Sequence, residues 1–141
     1  MEQLSPHFSL AELTVTSSGL SNKPSAVELA RLTATAQAME AVRKLLGQPI
    51  TVNSGYRSAA VNRAVGGSPT SAHALGYAVD FVCPAFGDPM AICKAIKASG
   101  IKYDQLIMEK NRWVHISFDP RMRGQVLSFW GGAYKAGLVA R

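Results

Sequence analysis

The chain is short of acid, cysteine and histidine, and each shortage narrows what it does. Nine Asp and Glu stand against fifteen Lys and Arg in 141 residues, a formal net charge of +6. That balance excludes an acidic solvating tail and favours an anionic partner such as nucleic acid, acidic lipid or cell-wall polymer. The basic residues are scattered from Lys23 to Arg141, with a loose grouping only at Arg121 and Arg123. No aromatic-interleaved basic stripe appears, so nucleic acid is not the expected partner. Two cysteines, Cys83 and Cys93, cannot build a disulfide framework, and both are expected to be reduced and buried. No apolar run approaches the ~18 residues that cross a membrane. Met1 to His7 carries neither a basic segment nor an apolar one, so no secretory signal is expected and synthesis in the cytoplasm is. Repeats and Pro/Gly/Ser linkers are also missing. With 48% apolar and 17% charged residues, residues 1–141 read as one domain with a real core.

What is present is strongly punctuated. Ser9 with Glu12 forms the sequence pattern of a capping box for a short helix, Leu10 to Leu13. Ser25 with Glu28 opens a longer helix. Its apolar positions Leu29, Leu32, Ala36, Met39, Val42 and Leu46 recur every three or four residues until Gly47 ends it. Ile50 to Ser54 alternates as a strand, Ser58 caps a short helix that stops at Gly66-Gly67, and Asp88-Pro89 opens a helix closed by Gly100. Helices come first and strands mostly later, which is an α+β pattern. The stretch from Gly124 to Arg141 either completes a sheet or walls a cleft.

Two strands carry the chemistry. Tyr77 to Cys83 puts Tyr77, Val79, Phe81 and Cys83 on one face and Asp80 on the other, between Ala78 and Val82. An acid inside so apolar a strand either faces water from a sheet edge or is paired or metal-bound, because a buried carboxylate is rarely left alone. The second case is a hairpin from Gln105 to Phe118. A three-residue loop at Lys110-Asn111-Arg112 makes one face wholly apolar: Leu106, Met108, Val114, Ile116 and Phe118. A two-residue loop would mix His115 and Ser117 into that face, so the pattern selects the odd loop. Glu109 and His115 then share the opposite face as diagonal neighbours, with Cβ atoms ~7–8 Å apart or less.

Only three histidines occur, His7, His73 and His115. His7 lies in a proline-flanked N-terminal segment and reads as a surface or packing residue. His73, His115 and Asp80 make a set of three ligands that leaves one position open, as catalytic zinc requires. A closed structural site would want a fourth ligand, and Cys83 points away from Asp80 by strand parity. Neither a His-Glu-x-x-His nor a His-x-Asp motif is present.

Ser54-Gly55-Tyr56-Arg57-Ser58, Val61-Asn62, Gly66-Gly67, Ser71-x-His73-x-x-Gly76-x-Ala78-x-Asp80 and Trp113-Val114-His115 resemble the zinc D-alanyl-D-alanine carboxypeptidase family. That family includes phage L-alanyl-D-glutamate endopeptidases and is related in fold to the hedgehog signalling domain. The opening Ser5 to Leu13 looks like small phage or prophage members, endolysins among them. The resemblance implies an antiparallel sheet with helices packed on one face, and one zinc ion held by His73, Asp80 and His115. It also implies that Arg57 and Ser71 hold the substrate's carboxylate or scissile carbonyl. An Arg fork suits a carboxylate, and the stem peptides of peptidoglycan end in carboxylates. Many members carry the acidic base three residues before the second histidine, where Arg112 stands here. Glu109 is the nearest acid on the metal-facing side and becomes the expected general base. Asp104 falls on the apolar face, and Asp119 lies ~13 Å along the strand from His115. The expected activity is hydrolysis of a peptidoglycan peptide bond by a phage-associated enzyme, acting as a monomer on the wall after release or within a virion. The rival expectation is a zinc-containing binding or structural module without catalysis.

Overall fold

Local capping sets the helix boundaries. The computed structural model describes residues 2–141. Helix α1 covers Leu10–Leu13 and α2 Ala26–Leu46, and both expected capping boxes form, Ser9 with Glu12 and Ser25 with Glu28. Gly47 ends α2 in the left-handed region at φ 65°. The stripe Leu32, Ala36, Met39, Val42 and Leu46 is buried. Helix α3 is Ala59–Ala64, capped by Ser58 and ended at Val65, a residue before the expected glycine pair. Helix α5 is Pro89–Ser99, with Asp88 as its cap and Gly100 as its left-handed stop. Two elements were not expected. One is a small hairpin, β1 (Gln3–Ser5) with β2 (Phe8–Ser9), and the other is a one-turn helix, α4 (Ala72–Leu75), which carries His73.

The remaining strands are β3 (Thr51–Ser54), β4 (Ala78–Val82), β5 (Gln105–Glu109), β6 (Trp113–Ser117), β7 (Gln125–Phe129) and β8 (Tyr134–Ala136). They form one six-stranded sheet in the order β3-β4-β6-β5-β7-β8. The β5–β6 register pairs Glu109 with Trp113, Met108 with Val114 and Ile107 with His115, as the apolar pattern required. Lys110 and Asn111 take the turn with φ of 55° and 52°. The all-antiparallel expectation needs one correction, because β7 pairs with β5 in parallel. The chain leaves β6, passes β5 and returns along β5's free side. Strand β4 lies between β3 and β6, so Asp80 is interior to the sheet and the edge-strand alternative falls.

Helices α2 and α5 cover the face bearing Phe81, Leu106, Met108, Val114 and Ile116, all fully buried with Met39 and Ile92. Each such side chain contributes ~1.5–3 kcal/mol of burial. Cys83 and Cys93 sit in this core as free thiols, and burial pushes the Cys93 thiol up to about 12. The other face stays open. Across it the register aligns Ser54, Asp80, His115, Ile107, Leu127 and Ala136 in one row over all six strands. No helix among the described residues is long and apolar enough to cross a membrane.

Candidate metal centre and its cleft

His73 is held by four local devices. Ser71 caps α4, its Oγ accepting from the Ala74 N–H at 3.1 Å. Gly76 ends the helix at φ 89°, where a side chain would crowd α2 (an added Cβ would lie 3.1 Å from the Glu28 carbonyl oxygen). The Thr35 hydroxyl of α2 donates to the Gly76 carbonyl at 2.8 Å. The fourth device sets the ring. His73 Nδ1 lies 2.8 Å from the Gly55 carbonyl oxygen. A carbonyl only accepts, so Nδ1 carries the proton and Nε2 keeps its lone pair for the cleft.

Asp80 and His115 face each other across β4 and β6. Asp80 Oδ1 is 3.2 Å from His73 Nε2 and 2.9 Å from His115 Nδ1. The second oxygen, Oδ2, lies 3.6 Å from the Arg57 guanidinium. Burial alone would raise the Asp80 carboxyl, but the two imidazoles outweigh it and hold the group below the usual carboxylate range. Ligand atoms from all three residues lie within 4.8 Å of one another. Around a tetrahedral zinc with ligands at ~2.0–2.2 Å, ligand atoms stand ~3.3–3.5 Å apart. The two observed separations from Asp80 are close to that, and two imidazoles with one carboxylate suit zinc in softness and charge. These residues fit the ion.

The trio floors a cleft of about 740 Å³ that Glu109, Arg57 and Ser71 also line. Burial raises the Glu109 carboxyl above its ordinary value, aided by the charge of Asp80 and opposed by His115 and Lys110. Arg57 donates from Nε to Ser54 Oγ at 3.2 Å. The Ser71 hydroxyl donates to Asn62 Oδ1 at 3.2 Å as well as capping α4. The other acids lie elsewhere. Asp104 takes a bidentate grip from Arg123, both contacts at 2.8 Å, and Asp119 pairs with Arg121 at 3.1 Å. Arg112 is exposed and borders a separate depression beside Pro84 and Asp88. His7 is exposed and pairs with Glu40 at 2.6 Å, well outside the cleft's lining.

One part of the site escaped the sequence reading, and a second was left open there between completing the sheet and walling a cleft, where the structure shows both. The Gly55 carbonyl is a main-chain atom, and no side-chain pattern announces it. The far wall comes from Gln125, Leu127, Tyr134 and Ala136 of β7 and β8. Alternation in Gln125 to Phe129 was the available signal, and strand order was not.

A histidine–aspartate–histidine trio, with His73 and Asp80 buried and His115 half-buried, beside a carboxyl of raised pKa on the open face of an α+β sheet, is the makeup of a metal-dependent hydrolase. A family model described as Peptidase M15 matches residues 6–117, most of the chain. The protein belongs to the peptidase M15 family. It is also similar to the zinc D-Ala-D-Ala carboxypeptidase of Streptomyces albus G, 39% identical over 77 residues. That match covers 52% of this chain and 30% of the relative, so the chain spans well under half of that protein.

Proposed function

We propose that this protein is a zinc-dependent peptidase that cuts a peptide bond in the stem peptides of peptidoglycan, either D-Ala-D-Ala at the chain end or an L-Ala-D-Glu type bond within it. The observation that carries the reading is the convergence on Asp80 Oδ1 of His73 Nε2 at 3.2 Å and His115 Nδ1 at 2.9 Å, beside Glu109. Family membership and the likeness to the Streptomyces zinc D-Ala-D-Ala carboxypeptidase support both the metal and the substrate class.

His73, Asp80 and His115 hold the ion. The chemistry a zinc ion would supply there is Lewis acidity toward the scissile carbonyl and a water acidified toward a pKa of ~7. Glu109, on the same sheet face, takes the proton of the attacking water and returns it to the leaving amine. A raised pKa makes the Glu109 carboxylate a stronger base toward that water, and because a carboxylic acid remains far more acidic than an ammonium, return of the proton to the leaving amine still runs downhill. Arg57 faces the negative charge that develops on the carbonyl oxygen or binds a substrate carboxylate. The Ser71 hydroxyl donates its hydrogen bond to Asn62 Oδ1, so in place of the expected grip on a substrate carboxylate or carbonyl it offers an acceptor for a substrate N–H. The setting is phage-associated lysis, with the enzyme reaching the wall after release or on a virion. Support for this comes from the likeness of Ser5 to Leu13 to small phage members and from the +6 charge, which favours an anionic envelope.

The test is mass spectrometry of purified peptidoglycan after digestion, with metal content measured on the same sample. New amino termini or released D-Ala, together with one zinc per chain, are expected. One zinc and no product would instead leave a binding module.

A further inference from the structure

The family match ends at residue 117, yet the cleft continues past it. Strands β7 and β8 add a wall of their own beyond β5, with Gln125, Leu127, Tyr134 and Ala136 facing the cleft. These four lining side chains carry no charge; Lys135 of β8 is not among the lining residues, and Lys110 Nζ stands over the Phe129 ring, 5.7 Å from its centroid. Gln105 Nε2 donates to Gln125 Oε1 at 2.7 Å, which leaves further amide donors and acceptors at that end. At the other end Tyr134 stacks on Phe129, ring centroids 4.7 Å apart, and Phe129 is the register partner of Glu109. Tyr134 is 53% exposed, and among the described residues its hydroxyl makes no hydrogen bond. Partial burial and the charges of Glu109 and Asp80 raise the phenol further, so it stays a donor. Arg57, on the opposite side, is the one cation lining the cleft among the described residues. It already faces Asp80 and Ser54.

A pocket for a chain-terminal carboxylate needs a free cation at a closed end. A neutral wall of amides and a phenol instead matches the main chain of a peptide that continues. We propose that Tyr134 is a substrate-contacting residue whose hydroxyl donates to a backbone carbonyl of the stem peptide, and that the β7–β8 wall carries chain beyond the scissile bond, so the bond cut is internal. This inference rests on the peptidase reading.

The test uses the zinc-loaded full chain with two synthetic stem pentapeptides, one with a free C-terminal carboxylate and one with a C-terminal amide. Both should be cut within the chain, with kcat/KM within about threefold of each other, because no terminal charge is being read. One neutral hydrogen bond corresponds to roughly a threefold to tenfold change in affinity. Tyr134→Phe should therefore raise KM by about that factor at nearly constant kcat, with zinc content and Tm unchanged. Tyr134→Ala, which also removes the stacked ring, should raise KM further. In the Glu109→Gln background, the same peptides titrated against the intrinsic fluorescence of Trp113 and Trp130 should show the same loss of affinity on Tyr134→Phe. Release of the terminal residue alone with collapse of activity on the amide would overturn the inference. So would a Tyr134→Phe variant with the parent's KM and affinity. If the unmutated protein cuts neither peptide, the peptidase reading fails, and the fluorescence titration still decides the contact with Tyr134.

Discussion

Gly76→Ala separates two costs that usually come together, the strain of a left-handed residue and the crowding of a packed helix end. Gly47 supplies the control. Both glycines end helices at positive φ, 65° for Gly47 and 89° for Gly76. A Cβ on Gly47 meets nothing within 4 Å, whereas one on Gly76 lies 3.1 Å from the Glu28 carbonyl oxygen and 3.3 Å from Arg31 Cβ. Left-handed strain costs an alanine ~1–2 kcal/mol, offset by ~0.4–1 kcal/mol from the stiffer unfolded chain. Gly47→Ala should therefore lose about 1 kcal/mol. Gly76→Ala adds overpacking of ~1–3 kcal/mol against backbone that cannot step aside, a total near 2–4 kcal/mol. For a chain of this size 1 kcal/mol moves Tm by ~3–4 °C, so the two variants should fall by about 3–4 °C and 7–15 °C. The crowded end also carries His73, three residues earlier, and its link from Thr35 at 2.8 Å. Zinc affinity in Gly76→Ala should drop about tenfold or more, in line with the effect of disturbing groups that orient a ligand. Circular dichroism melts with and without chelator, and zinc titration against a competing chelator, measure both. Equal Tm losses for the two variants, or parental zinc affinity in Gly76→Ala, would refute the reasoning.

Glu109→Gln should keep its zinc and its Tm while turnover falls by ~10²–10⁴-fold, the usual range for removing a general base; undiminished stem-peptide hydrolysis would remove Glu109 from that role. A base works deprotonated, and burial raises this carboxyl, so kcat/KM should climb with pH along an acid limb centred above the ordinary glutamate value of ~4.3. Kinetics across that limb check the sign. Chelation should lower Tm, and zinc restored to ~100 times its Kd should return about 2.7 kcal/mol, or ~8–10 °C; calorimetry with and without metal reads the difference. Asp104, held low chiefly by Arg123, is ionised more readily folded than unfolded. Its stabilisation is present above the unfolded value of ~3.9 and is lost as pH falls through the lower folded value. In Asp104→Asn the acid side of a Tm-against-pH curve should flatten.

The sequence alone determined whatever depends on neighbours along the chain. Ser9 with Glu12 and Ser25 with Glu28 announce their helices because a cap satisfies N–H groups only three residues away. The loop from Lys110 to Arg112 was legible because a slip of one residue would turn His115 into the core, and that parity set Glu109 on the face of His115 before any pairing was known. His73, Asp80 and His115 were legible as a trio for a plainer reason. Only three histidines occur, two of them beside or within strands, and one apolar strand carries an acid at its centre, while the likeness of the Ser71-to-Asp80 and Trp113-to-His115 runs to a zinc carboxypeptidase family joined them into one set.

Tertiary structure decided what depends on partners far away in the chain. Nothing local says that β7 runs parallel to β5, because a strand's alternation is the same whichever neighbour it joins. Strand β8 is exposed at all three positions, so no apolar pattern marks it. Helix α4 is a single turn, too short for a period, and takes its shape from Gly76 against α2 and from Thr35. The orientation of His73 hangs on a carbonyl eighteen residues away, at Gly55. Side-chain type, spacing and the family-like motifs thus pointed to the candidate ligands. Only long-range pairing of the backbone, whose donors and acceptors are identical at every residue, could bring them within reach of one ion and build the wall opposite.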